Sequence, residues 1–318
     1  MRPATAARQR GVALLTAILL VALGTMLAAA MAYRNAMTAR RGIATFAFDQ
    51  SLEIAQAGEA IAAYALRASR QGEPNTVYPA QGWATPYGPV DIAPGLNLQA
   101  WLSDEQGRFN LNNLVTAAGA TDTQALTVFE NLLTALGLEP AWAPKIADWI
   151  DIDSQPNTPD GAEDSVYLSQ NPAYRPPNMI ITSASEILAL PGFGRDRWLR
   201  LAPYVTALPR GSAVNLCSAP GVLLDALGPS GATNFSDTEA LGRNRRDKCF
   251  PQKADFDAIF NGDNKSQTYA DTLVGTSSNW FRLTSIVTIG TTQFALYSLL
   301  HQEDDQRVRP VQRSFTAD

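Results

Sequence analysis

The chain has 318 residues, with 25 Lys and Arg against 30 Asp and Glu and a formal charge of −5. That length supports a substantial core and two domains. The acidic balance argues against a nucleic-acid-binding surface, which needs clustered Lys and Arg. A single histidine, with no Gly-x-Ser-x-Gly, gives a serine-hydrolase triad little support.

Val12 to Tyr33 contains no charged residue and follows Arg8, Gln9, Arg10 and Gly11. As a helix it spans roughly 33 Å, against about 30 Å for the hydrocarbon core of a bilayer. Three readings share this layout: a cleaved secretory signal, for which Ala28-Ala29-Ala30 offers a cut site, a signal anchor, or a prepilin leader. The glycine before the apolar run and the helical character beyond it favour the last. Arg10-Gly11-Val12-Ala13-Leu14-Leu15 is similar to a type IV prepilin processing site, and that resemblance implies cleavage between Gly11 and Val12 and N-methylation of Val12. Most members of the pilin-like superfamily carry Glu at the fifth mature position. Thr16 stands there in this chain, the pattern of the minor pseudopilin K family of type II secretion systems, which the chain resembles over nearly its whole length. Removing residues 1–11 deletes three arginines and moves the formal charge from −5 to about −8.

No helix breaker intervenes after Tyr33, so one helix is expected from about Val12 to Ser69. Ile43, Phe46, Ala47, Gln50, Ile54, Ala57, Ile61 and Tyr64 recur at three- and four-residue steps and mark its expected packing face. Asp49, Glu53, Glu59 and Arg67 are expected on the polar side. A coiled coil is the alternative, without a sustained heptad to support it. Five prolines and four glycines between Gly72 and Gly95 predict an extended, turning connector. Leu96 to Ser103 alternates in part, and with Asp104-Glu105-Gln106-Gly107 as a turn and Arg108 to Leu111 beyond, it reads as a hairpin.

Helices are expected from Gln124 to Leu136, capped by Thr121-Asp122-Thr123 and stopped at Gly137, and from Ala141 to Ile150. Others are expected from Ser183 to Leu190, Arg195 to Tyr204 and Pro220 to Leu227. Phe109-Asn110-Leu111-Asn112 echoes Val214-Asn215-Leu216-Cys217 faintly, which makes an internal duplication conceivable. Gly231 to Ser278 is polar, and its Arg243, Arg245, Arg246 and Lys248, without interleaved aromatics, read as a solvated face. Phe281 to Ile289 and Phe294 to Leu300, joined at Gly290-Thr291-Thr292, read as a hairpin, with Arg307 to Phe315 as a third strand.

The fold class expected is α+β: a long N-terminal helix packed on a small antiparallel sheet, pilin-like, with a large inserted α-helical domain. The divisions are a leader at 1–11, a membrane or filament-core helix at 12–33, and the amphipathic helix, connector and first strands at 34–112. The helical insert follows at 113–278 and the closing strands at 279–318.

Asp148 to Asp164 holds six carboxylates and no base. Such a loop is either solvated or neutralised by a cation, and oxygen ligands without Cys or His select calcium or magnesium, with flexible loops favouring calcium. It is not an EF-hand loop, since Gln155 and Pro156 fall where a ligand and the turn glycine belong. The family resemblance implies calcium, with Asp151, Asp153, Glu163 and Asp164 as ligands and Asp148 and Asp160 as outer ones. Cys217 and Cys249 are either a disulfide, closing a loop of about 33 residues and worth about 3–4 kcal/mol in the chain-entropy model, or two buried thiols; an exported chain favours the bond.

Leu188-Ala189-Leu190-Pro191-Gly192-Phe193-Gly194 looks like the turn of a helix-hairpin-helix. With Arg195, Arg197 and Arg200 it supports a rival reading, an envelope-anchored DNA-binding protein, against which the net acidity counts. His301 reads as a surface histidine, and no enzyme is indicated. The resemblance implies a single-pass inner-membrane protein with its bulk in the periplasm. Implied partners are prepilin peptidase, minor pseudopilins I and J and other pseudopilins, with no nucleic acid.

Overall fold

The computed structural model describes residues 10–304 and 306–316, with side chains from Val12 onward. Met1 to Gln9 of the expected leader lie outside the described residues. Helix α1 runs unbroken from Arg10 to Gly72, with no proline to interrupt its ladder. The hydroxyls of Thr16, Thr25, Thr38 and Thr45 each donate to a carbonyl three or four residues back, which satisfies them inside the helix. Contacts divide the chain after Ile54. In the first unit the apolar side chains from Val12 to Tyr33 are all exposed, and the most apolar window of the helix has a mean hydropathy of 2.5. Length and composition fit a single-pass anchor.

The second unit begins with the last turns of α1. Its buried face is Ala55, Gly58, Glu59, Ala62 and Leu66, one residue out of phase with the expected stripe. Ile43, Phe46, Ile61 and Tyr64 are exposed instead, Tyr64 by 70%. The reason is steric. Small residues let the helix backbone approach the sheet closely, and a Cβ on Gly58 would lie 2.9 Å from Ser285 Oγ. Large apolar side chains therefore mark the wrong face. Glu59, expected on the polar side, is buried and accepts two 2.7 Å bonds from the Arg313 guanidinium and one of 2.6 Å from Ser298 Oγ.

The expected connector contains a 3-10 turn at Gly82–Ala84 and strand β1, Tyr87–Ala93, which pairs antiparallel with β2, Leu96–Asp104. The hairpin therefore precedes β2. The expected return strand after Gly107 instead forms β3, Phe109–Asn110, which leaves the sheet altogether. Between β2 and its next neighbour lie α2 (Thr123–Ala135), α3 (Trp142–Ile150), α4 (Asp164–Tyr167) and α5 (Gly194–Leu201). Strands β4 (Val205–Thr206) and β5 (Val214–Asn215) follow. Helices α6 (Gly221–Leu227), α7 (Thr238–Asn244), α8 (Lys253–Asp257) and α9 (Asn264–Leu273), then β6 (Val274–Gly275), complete the insert. The chain returns as β7 (Trp280–Ile289), β8 (Thr292–Gln302) and β9 (Val308–Ser314).

The sheet order is β1-β2-β7-β8-β9, antiparallel throughout. Its apolar face, including Ala100, Phe281, Leu283 and Leu300, packs with Ala62, Leu66 and Trp83, and Trp83 meets Phe281 edge-on at 5.2 Å. Both edge strands carry a proline, Pro89 and Pro310, and a register shift, features that discourage further strand addition.

The insert holds a second, larger core running from Phe109 to Val274. It is built twice over: β3 pairs parallel with β4, and β5 pairs parallel with β6, each pair enclosing a set of helices. Asn110 Oδ1 accepts from Asn112 N, and Asn215 Oδ1 from Cys217 N, so the faint sequence echo marks equivalent starts. Asp122 caps α2 through Gln124 N and Ala125 N, and Gly137 takes a positive φ of 62° at its end, as the residue types require. The disulfide Cys217–Cys249 joins two buried residues whose Cα atoms are 4.7 Å apart. Arg245, expected on a solvated face, turns inward and donates to Leu216 O and Phe250 O, both at 2.6 Å. It braces the same two segments as the disulfide.

The polar joint between sheet and insert lies at the end of β2. Asp104 Oδ2 accepts from Ser218 Oγ, from Ser278 Oγ at 2.7 Å and from Asn215 Nδ2 at 2.9 Å. Glu105, fully buried, accepts from Arg282 Nε at 3.2 Å and Thr206 Oγ1 at 2.8 Å.

Candidate metal centre

Helix α3 is amphipathic, and it buries Ile146, Ala147, Trp149 and Ile150 in the larger core. It stops where Asp151 turns extended, with ψ of 170°. Asp148, in the last turn, is fully buried and accepts from Asn157 N at 3.2 Å, from Ala162 N at 2.6 Å and from Asn157 Nδ2. Those bonds fold the loop after α3 back over the helix end. The fold-back depends on Gly161, where a Cβ would stand 2.3 Å from Asp148 Oδ2 and 2.4 Å from Asn157 N. Asp148 is thus committed to the loop backbone.

The fold-back gathers Asp151, Asp153 and Glu163, each offering an oxygen within 4.8 Å of the others. Asp151 and Glu163 are 2% and 4% exposed, whereas Asp153 is open to solvent. Asp151 Oδ2 accepts from Thr121 Oγ1 at 3.0 Å. Asp151 Oδ1, both Glu163 oxygens and Asn178 Oδ1 are buried without a donor among the described residues, and the Trp149 Nε1–H and Tyr167 OH nearby are buried without a hydrogen-bond partner among them. Leaving such acceptors unpaired costs about 1–3 kcal/mol each, more when charged. The structure does not bring the remaining carboxylates into this group. Asp160 is exposed, and Asp164 lies 3.5 Å from Arg175 at the surface.

Burial is the largest cause of the acid shifts. It pushes the Glu163 carboxyl up to about 7, with Asp148 and Asp151 adding repulsion, and the Asp151 carboxyl up to about 6, with Asp153 and Asp148 adding to it. Asp148 is raised by burial too, against its hydrogen bonds. Three carboxylates, two of them buried with idle oxygens and with no thiolate or imidazole among them, fit a hard divalent cation, and their irregular loop fits calcium better than magnesium.

The helix-hairpin-helix turn is present, with Gly192 and Gly194 at positive φ and Phe193 buried between them. Two of its three arginines are engaged elsewhere, and Arg195 is exposed. Arg197 pairs with Glu139 at 2.9 Å, and Arg200 donates to Leu136 O and Gly137 O at the end of α2. Such an arrangement supplies packing and leaves little charge for phosphate. His301 is half-buried and stacks on Trp280 at 4.2 Å, which corrects its reading as a surface residue; burial lowers its pKa. Asn178 is not singled out by the sequence, and Glu59 is placed by it on the polar side of α1 although it is buried. An asparagine following Pro176-Pro177 was the available signal for the first, since Asn tolerates left-handed backbone.

A family model described as type II secretion system protein K matches residues 107–210, the first half of the insert with its flanks. Type II secretion system protein K of Pseudomonas aeruginosa is 32% identical, covering 96% of this chain and 93% of that protein. The Pectobacterium carotovorum protein of the same name is 30% identical, with 97% of each covered. Among solved structures, the crystal structure of the GspK-GspI-GspJ complex from the enterotoxigenic Escherichia coli type 2 secretion system matches with a TM-score of 0.75 and 24% identity. The match covers 87% of this chain and all of that one. The likeness extends to the fold.

Proposed function

The chain belongs to the type II secretion system protein K family, and on that premise we propose that it is the minor pseudopilin at the tip of the pseudopilus. There it forms a complex with minor pseudopilins I and J that primes assembly and supports export of folded proteins. The observation that carries this reading is the insertion of residues 105–279 between β2 and β7, adjacent strands of one sheet. Bulk of that size obstructs stacking within a filament and suits its end. The crystal structure with the matching fold is of a complex with GspI and GspJ, which supports the choice of partners.

Thr16 agrees with an end position. A buried carboxylate in the filament core is costly unless it meets a neighbour's amine. The Thr16 hydroxyl instead donates to Ala13 O within its own helix and needs no neighbour. Prepilin peptidase would cut between Gly11 and Val12, Val12 would be N-methylated, and the apolar helix would hold the chain in the inner membrane with its bulk in the periplasm. The work is mechanical and no catalysis is involved. Calcium, held by Asp151, Asp153 and Glu163, would neutralise the acidic loop and hold it against α3.

The test is co-purification of the full chain in detergent with pseudopilins I and J. A stoichiometric complex of the three is expected, and a chain that binds neither would overturn the proposal.

A further inference from the structure

Arg245 ends α7, where its N–H donates to Leu241 O at 3.1 Å. The helix has anchors of its own: Asp237 caps it through Glu239 N and Ala240 N, and Leu241 is buried in the larger core. From that base the guanidinium spans two carbonyls, Nη2 donating to Leu216 O and Nε to Phe250 O. These belong to the residue before Cys217 and the residue after Cys249. Burial alone moves the Arg245 pKa, down to about 10, so the group stays cationic at neutral pH, held by carbonyl dipoles. The two cysteines are secured differently. Leu216 N donates to Gly275 O at 2.8 Å and Cys217 N to Asn215 Oδ1 at 3.0 Å, bonds that place Cys217 whatever the state of its sulfur. Cys249 follows three exposed residues, Arg246 to Lys248, and its carbonyl accepts from nearby Gln252 Nε2 at 2.9 Å. Beyond the disulfide, its segment is tied to the rest of the insert by the Arg245 fork and by Phe250, which meets Phe235 edge-on at 6.3 Å.

We propose that Arg245 is a positioning residue for the disulfide: its guanidinium holds Cys249 against Cys217 while both are thiols, so the bond forms in an arrangement already made. The insert then keeps its fold when the bond is reduced. Arginine suits this role because Nε and Nη2 lie on one rigid planar fork, and bonding both carbonyls fixes the spacing of the two backbones. A lysine ammonium is a point charge on a flexible stem and sets no such spacing. Oxidation by a small disulfide such as glutathione disulfide runs in two exchanges. One cysteine thiolate attacks a glutathione sulfur and releases the first glutathione thiolate; the other cysteine thiolate attacks the mixed disulfide and releases the second. Two electrons pass from the cysteines to the glutathione pair, and the two protons end on its thiols. The second exchange is intramolecular, so its equilibrium reports the effective concentration of one cysteine at the other.

The experiment equilibrates the full chain in detergent with glutathione redox buffers, for the wild type, Arg245→Gln and Arg245→Lys, approached from the oxidised and the reduced side. Trapped thiols give the effective concentration of the pair. It is expected to fall at least tenfold in Arg245→Gln and in Arg245→Lys, while exposed Arg246→Gln matches the wild type. Alkylation of the reduced chain under native conditions supplies the second readout. Both thiols of the wild type are expected to resist it, and Cys249 of Arg245→Gln to react at least tenfold faster. Fluorescence of the buried Trp142, Trp149 and Trp198 is expected to show the insert still folded in that reduced variant, which separates a lost brace from general unfolding. An undiminished effective concentration in Arg245→Gln overturns the proposal, and in Arg245→Lys it overturns the role of the fork. Reduced wild type whose thiols alkylate as fast as those of the urea-unfolded chain overturns it with no variant needed.

Discussion

Glu163 and Asp151 combine burial, idle oxygens and raised pKa, and together these set a pH dependence. Their folded-state values, about 7 and about 6, lie above the unfolded values of about 4.3 and 3.9. Between those limits the calcium-free folded state binds more protons than the unfolded one. Its stability therefore falls as pH rises from about 4 to about 7. On the proposed reading calcium should reverse the trend, since it would bind the carboxylate forms and stabilise by mass action. Thermal melts should show a calcium-dependent rise in Tm that is larger at pH 8 than at pH 5. Glu163→Gln should raise the calcium-free Tm at pH 8 and abolish most of the calcium response. A second residue-scale expectation concerns Glu59. Glu59→Gln weakens its bidentate pair with Arg313, and a loss of about 1.5–3 kcal/mol follows for hydrogen bonds to charged groups. The lower end is expected because Arg313 is partly solvated; urea denaturation measures it.

At the scale of elements, the acidic loop owes its shape to one backbone approach. Gly161→Ala places a methyl against Asp148 Oδ2 and the Asn157 backbone, so the loop has to open. We expect a loss of about 1–3 kcal/mol, the range for overpacking, together with weakened calcium binding; a variant that binds and melts as the wild type would contradict this origin of the site. Sequence reading succeeded where a local signal has a single structural meaning. The Asp122 cap, the Gly137 stop and the closing hairpin about Gly290 belong to this class. It failed where tertiary contact decides. The α1 stripe was misphased because Ala55, Gly58 and Ala62 pack by virtue of being small, and Tyr64 is exposed despite being large. The partner of β2 was misplaced because Asp104-Glu105-Gln106-Gly107 resembles a hairpin turn, although its carboxylates are the joint to the insert. Carboxylate composition indicated the acidic site, but not which members converge. The division between Asp148, bound to the loop, and Asp151, Asp153 and Glu163, gathered around one point, depends on the fold-back.

On the scale of the whole molecule, a family known by its place in a secretion system meets a fold whose anchor helix, sheet and insert are joined in a particular order. The sheet alone is a pilin-like unit. The insert adds a second core, twice built, braced by Cys217–Cys249 and by Arg245, and it departs from and returns to adjacent strands. A repeating filament subunit must meet like neighbours above and below it, and an end subunit has one neighbour fewer. Both the insert and Thr16 suit the second case. The most direct measurement is the position of the chain in isolated pseudopili, by electron microscopy with gold label directed to the insert. The account predicts label at one end of each labelled filament; label distributed along the filaments would contradict it.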